Sequence, residues 1–129
     1  MSVDFYIFRS DIPDDCAYDI CSDHGWYSSG YEYDTAKGYR VIVTYQYDDN
    51  LEAKYPELYP DWFEGKTAAD VTDTLPSVIR KCRAKELKGF NEYANFDKDK
   101  QRLSGMLYSL SNVVKVCLDH PDWKLVLES

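Results

Sequence analysis

Long apolar runs are missing from this chain of 129 residues. None approaches the ~20 residues that a membrane-spanning helix needs, so no span and no membrane partner are expected. The first ten residues, MSVDFYIFRS, carry Asp4 and no basic segment ahead of an apolar one. They do not read as a secretory signal peptide, and a cytoplasmic address is expected. Histidine is scarce, with only His24 and His120, and no HExxH helix can be written. There is no phosphate-cradling loop and no dinucleotide glycine pattern. Positive charge is in the minority: 15 Lys and Arg stand against 23 Asp and Glu, a net charge of −8. That balance argues against DNA as a partner of the whole surface.

What is present suits a folded domain. The chain is 44% hydrophobic and 16% aromatic, which excludes a disordered tail. Its length is that of one domain, residues 1–129, able to bury a core without staples. Four cysteines sit at positions 16, 21, 82 and 117. Without an export signal, and with Cys82 and Cys117 on apolar helical stripes, they read as free thiols acting as small hydrophobes.

The pattern along the chain begins with strands. Val3–Phe8 is β-branched and aromatic, with Val3, Phe5 and Ile7 on one face. The turn-rich DIPDD follows, with room for a short helix around Cys16–Ser22. In GWYSSGYEYD, Gly25–Asp34, tyrosines alternate with small and polar residues. Five residues later, YRVIVTYQY at Tyr39–Tyr47 alternates again. Two period-2 runs around a short loop predict a hairpin. Asp48–Gly65 reads as an irregular connection pinned by Tyr55, Leu58, Tyr59, Trp62 and Phe63, and its length points to a role or a short helix there.

Thr67 and Asp70 form the spacing of a capping box. Val71, Leu75, Val78, Ile79 and Cys82 continue it as a helical stripe, within which Pro76 predicts a kink or a break. Gly89 stops the helix. Leu103, Met106, Leu107, Leu110, Val113, Val114 and Cys117 make a second, longer stripe, capped by Asp97 or Asp99 and closed by His120-Pro121. Trp123–Leu127 is a closing strand. Strands segregated from helices predict an α+β domain: a largely antiparallel sheet of about four strands, with two helices of the C-terminal half packed on one face.

TAADVTDTLP, NEYANF and CLDHPDWK together resemble a loose group of small bacterial and phage proteins of uncharacterised function. These end in helix, linker, helix, an HPD-like turn and a strand. The likeness covers about residues 61–127 and implies a fold, with no activity attached. Ala94-Asn95-Phe96 stands where the group's linker carries Gly-Trp-Gly-type residues.

The chemistry-bearing residues form three sets. Cys16, Cys21 and His24 have ligand chemistry, but C-x4-C-x2-H is no established template, so no metal and no cofactor are expected. The carboxylates are many, and no pair stands out for acid–base catalysis. Charge is lopsided: residues 1–66 hold 14 acids and 5 bases, while residues 67–129 hold 9 acids and 10 bases. The first half is either a solvated acidic surface or a face for another protein with a basic surface. On the second view Tyr27, Tyr31, Tyr33, Glu32, Asp34, Asp48 and Asp49 are the contact residues, since tyrosine suits interfaces. The basic counterpart is Lys98, Lys100 and Arg102 at the start of the second helix. Those charges oppose its dipole and, with Tyr93, suggest an anion or nucleotide pocket. The expected function is a non-enzymatic acidic interaction protein, of the kind that serves as an inhibitor, immunity protein or phage counter-defence factor. A nucleotide- or anion-binding protein is the alternative, and a small enzyme ranks last.

Overall fold

A computed structural model describes residues 1–23, 36–91 and 97–129. Strand β1, Ser2–Phe8, lies inside the sheet with a partner on each side. A four-residue helix α1, Ala17–Ile20, leads to β2, the two residues Ser22–Asp23. Strand β3 spans Gly38–Thr44, and helix α2 spans Asp49–Lys54. Two 3-10 turns, Pro56–Leu58 and Pro60–Phe63, lead to helix α3, Ala68–Glu86. Helix α4, Lys98–Asp119, and strand β4, Lys124–Glu128, complete the order.

The domain is α+β, with both long helices in its C-terminal half. The sheet order is β2-β3-β1-β4. β1 pairs antiparallel with β3 and with β4, so that Phe5 lies between Val41 and Leu127, and Ile7 between Tyr39 and Leu125. Among the described residues the antiparallel part of the sheet thus has three strands, not about four. β2 adds only two residues to the β3 edge, and in parallel. Of the predicted hairpin, the second strand is β3, and the first, Gly25–Asp34, lies outside the described residues.

α4 supplies the main helical cover of the sheet, against β3 and β1, and α3 packs chiefly on α4. The stripe from Leu103 to Cys117 is buried throughout, joined by Val116. Asp97, not Asp99, caps α4, its carboxylate accepting from the Asp99 and Lys100 amides. Pro76 does not break α3, which runs as one helix through it. Burial of Val71 and Leu75 before the proline and of Val78, Ile79 and Cys82 after it holds the two halves in one element. Gly89, at φ 75°, turns the chain away after α3 ends. Tyr6 and Phe8 point the other way from Phe5 and are also buried, under Ala17 with Ile12, Ile20 and Cys21. Among the described residues no helix is long and apolar enough to cross a membrane.

Candidate functional site

β3 ends at Thr44, and the chain beyond it is pinned rather than loose. The buried Tyr45 hydroxyl donates to the Leu58 carbonyl at 2.8 Å. The Tyr59 hydroxyl donates to the Gln46 carbonyl at 2.9 Å. Burial, with Glu52 and Asp48 nearby, pushes the Tyr59 phenol up to about 12, so it remains a donor at neutral pH. Tyr47 is the residue this arrangement displays. Its ring stacks on Tyr45, with centroids 5.7 Å apart, and lies 6.0 Å from Tyr59, yet it is 49% exposed.

Tyr47 stands between two hollows. The first, about 400 Å³, has an apolar floor of Val3, Phe63, Leu125 and Leu127 and carboxylates at Asp61, Glu64 and Glu128. The second, about 740 Å³, lies between residues 44–48 and α4, whose Asp99, Arg102, Met106 and Ser109 form its far wall. A third, smaller hollow shares Gln46, Asp48 and Asp99 with it and adds Lys54, Glu86 and Lys100. The Gln46 Oε1 atom is buried without a hydrogen-bond partner among the described residues.

The residues singled out from the sequence divide accordingly: some meet here and some do not. Tyr27, Tyr31, Tyr33, Glu32 and Asp34 lie outside the described residues, as do Tyr93 and His24. Asp48 is a cap: its carboxylate accepts from the Asn50 and Leu51 amides at the start of α2. Asp49 is exposed in the first turn of α2. Arg102 and Lys100 line two adjoining hollows, and Asp48 and Asp99 line both, so Asp48 of the acidic set lies near two of the three basic residues. Lys98 is exposed at the first position of α4. Tyr47, Asp61, Glu64 and Glu128 are additions. For the first three, the signal in the sequence is the stretch 47–65, too rich in aromatics and acids for an idle loop.

The nucleophile candidates are quenched by their surroundings. All four cysteines are free thiols. Burial pushes Cys82 up to about 11, with Glu86 adding to it, and Cys117 up to about 12. Cys21 rises to about 11 through burial. Cys16 rises through burial and then the charge of Asp15. None is therefore a ready thiolate. Among the described residues no group of three His, Cys, Asp or Glu side chains is placed to hold a metal. His120 follows the end of α4 and stacks on Trp123, centroids 3.6 Å apart and planes 10° apart, a packing role.

Comparison with protein-family models, with curated proteins and with solved structures finds no match to this chain.

Proposed function

We propose that this chain is a non-enzymatic acidic interaction protein, of the inhibitor, immunity or counter-defence kind, and that its contact surface centres on Tyr47. The observation that carries this reading is the exposed, pre-stacked Tyr47 ring beside Asp48 and Asp49 and above a carboxylate-rimmed hollow. A rigid tyrosine offers contact area at little ordering cost, and such residues dominate binding energy. The surrounding acids favour a basic partner and a salt-sensitive encounter.

The test begins with affinity capture at low and high salt, and continues with the purified partner. Tyr47→Ala is expected to weaken that partner's binding by more than about 1 kcal/mol. Its thermal midpoint is to be measured alongside, so that a folding loss is not mistaken for a lost contact. A partner whose affinity ignores both salt and Tyr47→Ala sinks the reading.

A second reading, a nucleotide- or anion-binding protein, draws on the larger cleft. Its volume is that of a small-molecule site, and Arg102 and Ser109 line it. Asp48 on one wall and Asp99 on the other weigh against a free anion. A nucleotide co-purifying with the native chain and lost on Arg102→Ala would select this reading instead.

A further inference from the structure

Among the described residues β4 is the outermost strand on its side of the sheet. Its first residue is covered: Thr67 bridges Lys124, and the Ala68 amide donates to the Trp123 carbonyl at 3.1 Å. Beyond Lys124, no described residue pairs with β4 on that side. The strand reads KLVLE, so the open stretch is apolar until Glu128. An unpaired edge of this kind is a template for another strand.

The hollow beside this edge says which strand. Leu125 and Leu127 form part of its floor with Val3 and Phe63, and the two charged side chains that the neighbouring turn adds to its lining, Asp61 and Glu64, are both acidic. A strand laid along β4 would send alternate side chains over Leu125 and Leu127. A lysine or arginine there rests its aliphatic stem on the apolar floor and carries its charge to the carboxylate rim. We infer that the partner of the reading above, on which this inference rests, is held by an extended basic segment that adds to the sheet along β4.

A second copy of this chain is the competing occupant, because KLVLE set antiparallel to itself would place Lys124 against Glu128. Lys124 is already committed, however. Its ammonium lies 2.8 Å from Asp14 and 5.1 Å above the Phe8 ring, and its backbone edge meets Thr67. Two copies would also bring together two chains of net charge −8.

The probes are three acetylated, amidated peptides: alternating lysine and valine, alternating glutamate and valine, and the lysine–valine peptide with every second amide N-methylated. Hydrogen exchange at the amides of Leu125–Glu128 should slow with the lysine–valine peptide. The glutamate peptide and the N-methylated peptide should each bind at least about tenfold more weakly, the first lacking charge complementarity and the second its ladder bonds. The charge-neutral variant D61N/E64Q should lower lysine–valine affinity by about fivefold, the sum of two modest ion pairs. Equal binding of the N-methylated peptide, equal binding of the glutamate peptide, or no protection of β4 overturns the inference. So does a concentration-dependent dimer protected at the same amides. If Tyr47→Ala abolishes binding of the captured partner while the lysine–valine peptide leaves β4 unprotected, this inference fails and the broader reading stands.

Discussion

The two faces of β1 are buried by different means. On one, Val3, Phe5 and Ile7 enter a core built by α3, α4 and the turns between Tyr55 and Phe63. On the other, Tyr6 and Phe8 lie beneath a four-residue helix and a few partly buried side chains. The first face uses a helix of 22 residues, whose apolar positions repeat along the chain. The second uses single residues, Ile12, Ala17 and Ile20, that repeat nothing. A strand can therefore be buried on both sides while only one of its covers leaves a period in the sequence.

The largest effect belongs to the helical cover. Leu107 is fully buried in the middle of α4. Leu107→Ala is expected to cost about 2–5 kcal/mol in chemical denaturation, from lost transfer and the cavity left behind. A cost under about 1 kcal/mol would mean that this face collapses easily, and would reverse the ranking of the two covers.

The outer face should break at Gly38. This residue pairs with Phe8, and an added methyl would sit 2.5 Å from the Phe8 Cβ and 2.8 Å from the Cys21 Sγ. The Phe8 Cβ and the Ile7 carbonyl oxygen, 3.0 Å away, are fixed to the backbone and cannot swing aside. Gly38→Ala is expected to cost about 1–3 kcal/mol by overpacking, despite the small size of the change. Thermal melts of wild type and variant decide it, and an unchanged midpoint would mean that the strap of residues 12–21 moves freely.

Gly105, in α4, makes the opposite case. A methyl there meets nothing within 4 Å, and the residue is exposed in a helix interior. Gly105→Ala should stabilise the chain by about 0.4–1 kcal/mol through the unfolded state. Because Gly105 also lines the larger cleft, the same variant asks whether that cleft matters to a partner. Tighter folding with weaker binding would place the glycine there for access rather than for helix formation.

Legibility follows the same division. The stripes of α3 and α4, the capping box at Thr67 and the stop at Gly89 are readable because each is a local rule of spacing or backbone sterics. The continuity of α3 through Pro76 is not, because packing on both sides of the proline outweighs its local cost. Sheet order is not readable either: pairing of β1 with β4 joins residues more than a hundred positions apart, which no local pattern encodes. At the candidate site, the sequence points to Asp48, Lys100 and Arg102, but as members of two separate candidate sites. Their meeting in two adjoining hollows depends on α4 crossing beside the end of β3. Asp48 reads as a contact residue because a capping carboxylate and a binding carboxylate look alike in sequence.

The smallest effect concerns the joint between the helical layer and the sheet edge. The Thr67 amide donates to the Asp70 carboxylate at 3.0 Å, and the Asp70 amide donates to the Thr67 Oγ1 at 3.3 Å. The bonds from Thr67 hold the Asp70 carboxyl below its ordinary value of 3.8. The folded value is thus lower than the unfolded one. The contribution of Asp70 to stability is present in full above the ordinary value and is lost as pH falls through the folded value. Asp11 titrates in the same direction, held down by the hydrogen bond from Arg9, so assigning the slope to Asp70 requires a variant. Asp70→Asn preserves the side-chain shape and removes the charge. Urea midpoints from about pH 5 down to about pH 2 should fall more steeply in the wild type than in Asp70→Asn, the curves converging at the acid end. Parallel curves would mean that the cap holds by shape alone. Since Thr67 also covers the Lys124 end of β4, a weakened cap should speed exchange at the β4 edge before it affects the centre of α4.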